Sequence, residues 1–271
     1  MKKSSLTLKL INAPYMIWAV LFILAPLIMV IYYAFTDRSG AFTLDNIKAL
    51  SSYGAIFGRS AWYAVLATVI CLILAYPLAY IMAKSRANTQ RTIMMLIMLP
   101  MWMNFLIRTY SWITILSNTG LINSLLKAVG LPTAQLINTP GAVILGMVYN
   151  FLPYMVLPIY SIMAKMDNRL IEAAYDLGCS GSGVLRRVIW PLSLPGVISG
   201  VTMVLIPSIS TFYISQKLGN GKFFLIGDAI EGQYVANNLH FAAAIAFILM
   251  IILLAGMALM QRFADKRSHI D

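Results

Sequence analysis

Long apolar segments separated by short polar ones set the pattern of hydrophobic and polar positions along this chain of 271 residues. Each apolar segment has about 20 residues or more, the length at which an α-helix crosses the hydrocarbon core of a bilayer. We expect six transmembrane helices, somewhat tilted, at residues 14–35, 62–83, 92–116, 140–164, 191–214 and 241–263. The pattern therefore predicts an all-α polytopic membrane protein with a single transmembrane domain that spans residues 1–271.

The composition of the chain supports the same class of protein. Hydrophobic residues make up 60% of the chain and charged residues 11%, a balance that ordinary soluble domains do not have. The chain starts with Met1-Lys2-Lys3 and an apolar stretch, as a signal peptide does. However, this stretch continues to about Phe35 and has no small-x-small cleavage site, so we expect it to be retained as the first span.

The basic residues are distributed unevenly between the two sides of the predicted membrane. Of the 20 lysines and arginines, 13 fall in alternate loops and the termini, 6 fall in the other loops, and Arg108 lies inside the third segment. The 13 are Lys2, Lys3, Lys9, Lys84, Arg86, Arg91, Lys165, Arg169, Arg186, Arg187, Arg262, Lys266 and Arg267, and the 6 are Arg38, Lys48, Arg59, Lys127, Lys217 and Lys222. Because cytoplasmic loops carry the excess of basic residues, we expect both termini and loop 167–190 on the cytoplasmic side of the cytoplasmic (inner) membrane. Basic groups along the membrane edge predict contact with membrane lipid and exclude nucleic acid as a partner.

The polar loop at residues 167–190 has the spacing of a short amphipathic helix. Asp167 or Asn168 can cap its start, and Gly178 ends it. Apolar side chains recur at i, i+3, i+4 and i+7, and charged ones occupy the other side. The apolar positions are Leu170, Ala173, Ala174 and Leu177, and the charged ones are Arg169, Glu172 and Asp176. We expect residues 180–183 to form a turn before the next span. The amphipathic spacing of the loop is also typical of a helix that lies on the membrane surface.

The spacing within this loop resembles the EAA loop of permease subunits of ABC importers. That pattern is Glu-Ala-Ala, three residues, Gly, nine residues, Ile, one residue and Leu-Pro. Here Glu172-Ala173-Ala174 and Gly178 match it, and Val188 and Trp190-Pro191 complete it with two apolar substitutions. The resemblance implies a type I importer permease fold with a cytoplasmic coupling helix between spans four and five, received by a cleft of a cytoplasmic ATPase subunit. The implied ATPase-coupling residues are Glu172, Ala173, Ala174, Asp176, Leu177 and Gly178.

Three further strings resemble the spermidine/putrescine branch of these permeases, at residues 99–112, 149–154 and 222–227. The resemblance extends from about Pro14 to Arg262. It implies three kinds of partner: cytoplasmic ATPase subunits, a second related permease that makes a heterodimer, and an extracytoplasmic polyamine-binding protein. It also implies that this chain binds no cofactor, because ATP with Mg²⁺ is hydrolysed by the partner subunit.

Signatures of catalysis and of metal binding are missing from the sequence. It has no Gly-x4-Gly-Lys-Ser/Thr motif, and the nearest string, at residues 219–222, is typical of a turn. The two cysteines, Cys71 and Cys179, fall in a span and in the cytoplasmic loop, so a disulfide between them is excluded. His240 and His269 are isolated from each other, which predicts no metal site. We therefore expect a transport subunit without enzymatic activity.

Polar and aromatic residues inside the spans are candidates for the substrate path, because polar groups at membrane depth face protein or water. The candidates within the spans are Trp102, Asn104, Tyr110, Tyr149, Asn150, Tyr154 and Ser208. None of the nine acidic residues lies in a span, so ring faces are the main negative surfaces for a cation at that depth. Asp228 and Glu231 in an outer loop are predicted to attract a cation or to be ordinary solvated charges. For Arg108, locking a neighbouring helix or reaching the outer surface competes with substrate contact.

Two other classes of function are compatible with a polytopic chain. A stand-alone secondary transporter needs an intramembrane carboxylate or histidine for its coupling ion, and the predicted spans contain none. An integral membrane enzyme needs a cluster of reactive groups, and the sequence shows none. The sequence does not choose between spermidine, putrescine and another small organic solute.

Overall fold

The computed structural model describes the backbone of residues 13–268 and the side chains of residues 13–262. Among the residues named above, Lys2, Lys3 and Lys9, used to predict orientation, and His269, considered as a metal ligand, lie outside the described residues. The side chains of Lys266 and Arg267, also used for orientation, are not described either. The first residues of the stretch expected to be retained at the N-terminus also lie outside them.

Helices make up the regular secondary structure of the described residues, as the sequence predicts. In chain order they are α1 (Ala13–Ala34), α2 (Asp45–Ala49), α3 (Gly54–Lys84), α4 (Ala87–Trp102), α5 (Phe105–Leu116), α6 (Leu121–Ala128), α7 (Pro140–Met163), α8 (Asn168–Asp176), α9 (Gly181–Ser210), α10 (Tyr213–Gly219), α11 (Ile226–Val235) and α12 (Leu239–Ser268). A π-helical turn replaces regular α-helix at Val20–Leu24 in α1 and at Leu185–Ile189 in α9. The described residues form two compact units, one made of residues 13–55 and Ala229–Leu253, the other of Ile56–Asp228 and residues 254–268.

Small residues allow the long helices of the larger unit to approach each other closely. In α3 they recur on one buried face, at Ala64, Ala67, Cys71, Ala75 and Ala79. In α9, a Cβ atom at Gly196 would lie 2.8 Å from the Pro158 carbonyl oxygen of α7. At Gly200 it would lie 2.8 Å from the Met155 sulfur. Close backbone approach of this kind is how helices pack without a hydrophobic driving force in a bilayer.

Aromatic side chains hold the smaller unit together. Phe35 and Phe247 pack edge to face with ring centroids 5.3 Å apart, and Tyr53 and Phe241 do so at 5.2 Å. His240 also packs against a tyrosine ring, and its Nδ1 atom lies 3.3 Å from the Tyr33 carbonyl oxygen.

The predicted third span is wrong as a single helix. The chain bends by 94° between α4 (Ala87–Trp102) and the segment Phe105–Ala128, which comprises α5 and α6. Met103 is extended, with φ −78° and ψ 146°, and the Asn104 side chain caps α5 by accepting from the Leu106 N–H at 2.8 Å. The bend follows from the preference of asparagine for a capping position over a helix interior. At Asn104 the side chain caps the start of α5 instead of continuing α4.

The boundaries of two other predicted spans differ from the structure. Helix α9 begins at Gly181, so the turn predicted for residues 180–183 is wrong: Ser180 caps the helix by accepting from the Gly183 N–H. The same helix ends at Ser210, before the predicted Ile214, because Thr211 is extended. Helix α3 begins before the predicted residue 62. Among the described residues, five helices are long and apolar enough to cross a membrane, or six if the bent pair counts as one span.

Candidate functional site

Helix α8, in the loop predicted to couple to an ATPase, has a defined cap at each end. The Asp167 carboxylate accepts from the Arg169 N–H at 2.9 Å, which confirms one of the two predicted caps. At the other end, Gly178 has φ +80°, a conformation that side chains with a Cβ atom rarely adopt. Its N–H donates to the Tyr175 carbonyl at 2.8 Å, and the Cys179 N–H donates to the Ala174 carbonyl at 3.0 Å. These two bonds form a Schellman motif, so the prediction that Gly178 ends the helix is confirmed.

The apolar stripe of α8 divides into a buried and an exposed part. Ala174 is 8% exposed, whereas Leu170 is 50% and Leu177 85% exposed. Glu172 and Asp176 are exposed as well. An exposed leucine pair beside two carboxylates on one short helix is a surface suited to contact with another protein.

Helix α8 is attached to the long helices at both of its ends. At its start, the Lys84 ammonium at the end of α3 donates to the Asn168 side-chain oxygen. Beyond its end, Cys179 leads directly to α9, which runs without a break through the π-helical turn to Ser210. Within α9, Ser193 and Tyr76 of α3 are hydrogen-bonded at 2.9 Å between their oxygens. Helix α8 is therefore joined to α3 by a side-chain hydrogen bond and to α9 by a short link in the chain, residues 177–180.

Arg108 follows the bend between α4 and α5 and is nine-tenths buried. Its Nε and Nη1 atoms have no hydrogen-bond partner among the described residues. The guanidinium lies 5.9 Å from the centre of the Phe105 ring, within the range of a cation–π contact. Of the alternatives raised above, reaching the outer surface is therefore wrong, because the side chain is enclosed by protein.

Tyr110 is the predicted path residue for which the structure shows a contact with a cation. The Lys217 ammonium of α10 lies 5.8 Å from the centre of the Tyr110 ring and 5.7 Å from that of the Tyr213 ring. The Tyr213 and Phe105 rings are neighbours, with centroids 5.7 Å apart. A cavity of about 250 Å³ opens beside them, lined by Phe105, Leu106, Ser210, Thr211, Phe212 and Tyr213.

The remaining predicted path residues of the spans do not form one site within this chain. Trp102 is 74% exposed and Tyr154 39% exposed, and each faces out of the fold. Tyr149 packs against Trp112, with ring centroids 5.3 Å apart. Asn150 is buried and donates to the Gly146 carbonyl within its own helix. The other two, Asn104 and Ser208, are respectively a helix cap and a buried hydroxyl.

Asp228 is buried, so its interpretation as a solvated outer-loop charge is wrong. Only 3% of the residue is exposed, and its carboxylate accepts from the Ser215 hydroxyl at 2.9 Å and from the Leu225 N–H at 2.8 Å. These bonds fix the start of α11, which also carries the half-buried Glu231. Asp228 therefore has a local structural role that the sequence interpretation missed.

Comparison with known proteins gives the class. The permease protein PotB of the spermidine/putrescine transport system of Escherichia coli (strain K12) is 38% identical, over 94% of this chain and 98% of its own length. The protein of the same name from Haemophilus influenzae is 35% identical, over 87% and 86%. The crystal structure of a bacterial alginate ABC transporter, in complex with an alginate pentasaccharide-bound periplasmic protein, contains a chain of the same fold. Its TM-score is 0.78 at 15% identity, covering 97% of this chain and 96% of that one.

Fold and similarity define this chain as a membrane-embedded permease subunit of an ABC importer. Residues 75–269 match the family described as binding-protein-dependent transport system inner membrane component, and the chain belongs to that family. The resemblance stated for the EAA loop and for the spermidine/putrescine permeases is thereby confirmed at the level of the family and its relatives.

Proposed function

We propose that this chain carries polyamines, spermidine or putrescine, across the cytoplasmic membrane as one permease subunit of an ATP-driven importer. The observation that supports the substrate most is similarity over nearly the whole length to permeases of spermidine/putrescine transport systems. A chain of this fold without acidic residues in the predicted spans suits passage of a cation that must not be trapped. Another small organic solute is the second candidate.

Helix α8 is the coupling helix in this proposal. Its exposed leucines, Leu170 and Leu177, and the carboxylates of Glu172 and Asp176 would contact the cleft of an ATPase subunit. Ala173 offers a small exposed position beside them, while Ala174 anchors the helix to the rest of the chain. The caps at Asp167 and Gly178 stabilise both ends of the helix. A force from the ATPase subunit would therefore move the helix as a whole and would not unwind it.

ATP hydrolysis belongs to the partner subunit in this proposal. This chain binds no nucleotide, and ATP with Mg²⁺ is bound and cleaved by cytoplasmic ATPase subunits. Residues 219–222, the string nearest to a phosphate-binding loop, form a turn in which Asn220 and Gly221 both have positive φ. The Lys222 N–H closes that turn by donating to the Gly219 carbonyl at 3.1 Å.

The membrane arrangement has six spans, the third of which is the bent pair α4 and α5. Both termini and α8 lie in the cytoplasm, following the excess of basic residues in alternate loops. A second, related permease completes a heterodimer. An extracytoplasmic polyamine-binding protein docks on the outer loops. We treat residues 1–271 as a single transmembrane domain for function.

The substrate path runs between this chain and the second permease. Exposed aromatic residues of α4 and α7, Trp102 and Tyr154, face out of the fold where a second subunit and the path would lie. Tyr110 contributes a ring at α5, and Glu231 adds negative charge near the entrance, on the helix whose start is fixed by the buried Asp228. The other members of the path are Asn104, Tyr149, Asn150 and Ser208.

The experiment is reconstitution of this chain with its second permease, ATPase and binding protein in liposomes. Uptake of labelled spermidine and putrescine is measured with ATP, with a non-hydrolysable analogue, and with labelled choline as an alternative cation. ATP-dependent uptake of a polyamine but not of choline is the expected result. Uptake of another solute without polyamine uptake would contradict the proposed substrate, and uptake without the ATPase would contradict the importer class.

A further inference from the structure

The rings of Tyr110 and Tyr213 both lie close to one ammonium group, that of Lys217. Tyr110 comes from α5, and Tyr213 lies four residues before Lys217 on α10, so the helix places ring and ammonium on one face. The Lys217 ammonium lies within 6 Å of both ring centres, the distance at which a cation is attracted by the face of an aromatic ring. No ion pair joins Lys217 to a carboxylate of residues 13–262. Within this part of the chain, Tyr110 and Tyr213 are the partners that the structure shows for the Lys217 ammonium.

The chemistry of the occupant matches that of the proposed substrate. A lysine side chain is an aminobutyl group, four methylene carbons ending in an ammonium. Putrescine is the same group with a second ammonium, and spermidine contains it at one end. A site that holds the Lys217 side chain consequently has the shape and the charge preference of a site for one end of either polyamine.

We propose that the tyrosine pair is an ammonium subsite of the substrate path and that Lys217 occupies it until a substrate ammonium displaces it. This inference rests on the proposed function. Lys217 is half-buried on a surface helix, so its flexible side chain moves to solvent without rearrangement of the backbone. The cavity of about 250 Å³ beside Phe105 and Tyr213 gives the incoming methylene chain an apolar surface.

The arrangement has a functional consequence for an importer. Empty ring faces would bind sodium, potassium or stray amines, whereas an occupied site admits only a cation that competes with a tethered ammonium. A polyamine has that advantage, because a second ammonium of the same molecule interacts elsewhere along the path. Lys217 therefore raises the selectivity of passage and lowers its rate.

The test measures the initial rate of polyamine import by the reconstituted importer at saturating loaded binding protein. Lys217→Met keeps an unbranched side chain that is one atom shorter and removes the charge, and we expect import to be about threefold to tenfold faster. Lys217→Arg should import like the wild type. Lys127→Met is the matched control, because Lys127 is an exposed lysine at the end of α6 without a ring contact. This control should not change the rate.

A second measurement separates a placeholder from a structural lock between α5 and α10. In Lys217→Ala, n-butylammonium chloride should refill the ring site and slow import toward the wild-type rate, while sodium chloride at equal ionic strength should not. If Lys217 were only a lock, Lys217→Met and Lys217→Ala would both slow import and n-butylammonium would restore the rate of Lys217→Ala, which would overturn the inference. Equal rates for Lys217→Met and wild type would overturn it too. A wild-type complex that imports no polyamine would instead refute the proposed substrate, and the inference with it.

Discussion

Gly178 gives the sharpest test of the coupling helix, because its conformation is demanding and its surroundings are open. The residue has φ +80°, and a Cβ atom built there meets no atom within 4 Å. Replacing it with alanine therefore adds backbone strain without a steric clash. Strain of this kind costs about 1–2 kcal/mol, which lowers the population of the capped end by about 5- to 30-fold.

Proline at the same position acts more strongly for two reasons. It fixes φ near about −65°, and it removes the N–H that donates to the Tyr175 carbonyl at 2.8 Å. We therefore expect import to fall in the order wild type, Gly178→Asn, Gly178→Ala, Gly178→Pro, since asparagine tolerates positive φ better than alanine. Gly181→Ala is the matched control: it lies at the start of α9 in ordinary helical conformation, where the added Cβ has an ordinary contact of 3.7 Å.

The assay compares ATP-driven import with the amount of each partner that co-purifies. The second permease should co-purify equally with all variants, and the ATPase should be lost or uncoupled in the order given. Gly178→Pro with a wild-type import rate would refute the coupling role of α8. A parallel loss of the second permease would show that the variant disturbs the fold rather than the coupling.

Three further predictions concern topology, stability and the substrate path. In a cysteine-free background, Ser180→Cys should be labelled from the cytoplasm and Asn220→Cys from outside; labelling of both from one side would contradict the six-span arrangement. Asp228→Asn should lower the free energy of unfolding, measured in detergent, by about 1–3 kcal/mol, because the NH₂ group of the new asparagine would face a donor where the carboxylate accepts. Unchanged stability would contradict a stabilising role of these buried hydrogen bonds. Trp102→Ala and Tyr154→Ala should each slow polyamine import several-fold while the complex assembles normally. Loss of assembly would indicate a packing role instead.

Local spacing predicted the ends of helix α8 well because their determinants lie within a dozen residues. The carboxylate of Asp167 and the missing side chain of Gly178 act on their immediate neighbours, so the sequence alone locates both ends of α8. The bend after Trp102 was missed for the opposite reason. Averaged hydrophobicity predicts residues 92–116 as one apolar helix. The cap at the start of α5 depends on a single side chain, that of Asn104, and an average over many residues does not detect it.

Long-range contacts explain the other errors. In the sequence, Asp228 has the position of a charged loop residue. In the structure it is buried and accepts a hydrogen bond from the hydroxyl of Ser215, thirteen positions earlier. The contact between Tyr110 and Lys217 joins two helices far apart in the chain, and no pattern within either helix indicates it. Contacts of this kind depend on how α5 and α10 pack against each other.

The unbroken course of α9 would carry a movement of α8 along the whole length of one helix. At a rise of 1.5 Å per residue, its 30 residues form a rod of about 45 Å, long enough to reach across a bilayer. A tilt of about 5° at the end attached to α8 would move the far end by about 4 Å, roughly the width of a methylene chain. Three prolines lie inside α9, at Pro191, Pro195 and Pro207, and they are the points at which such a rod would bend. Stiffening these points should change how far a movement travels along the helix.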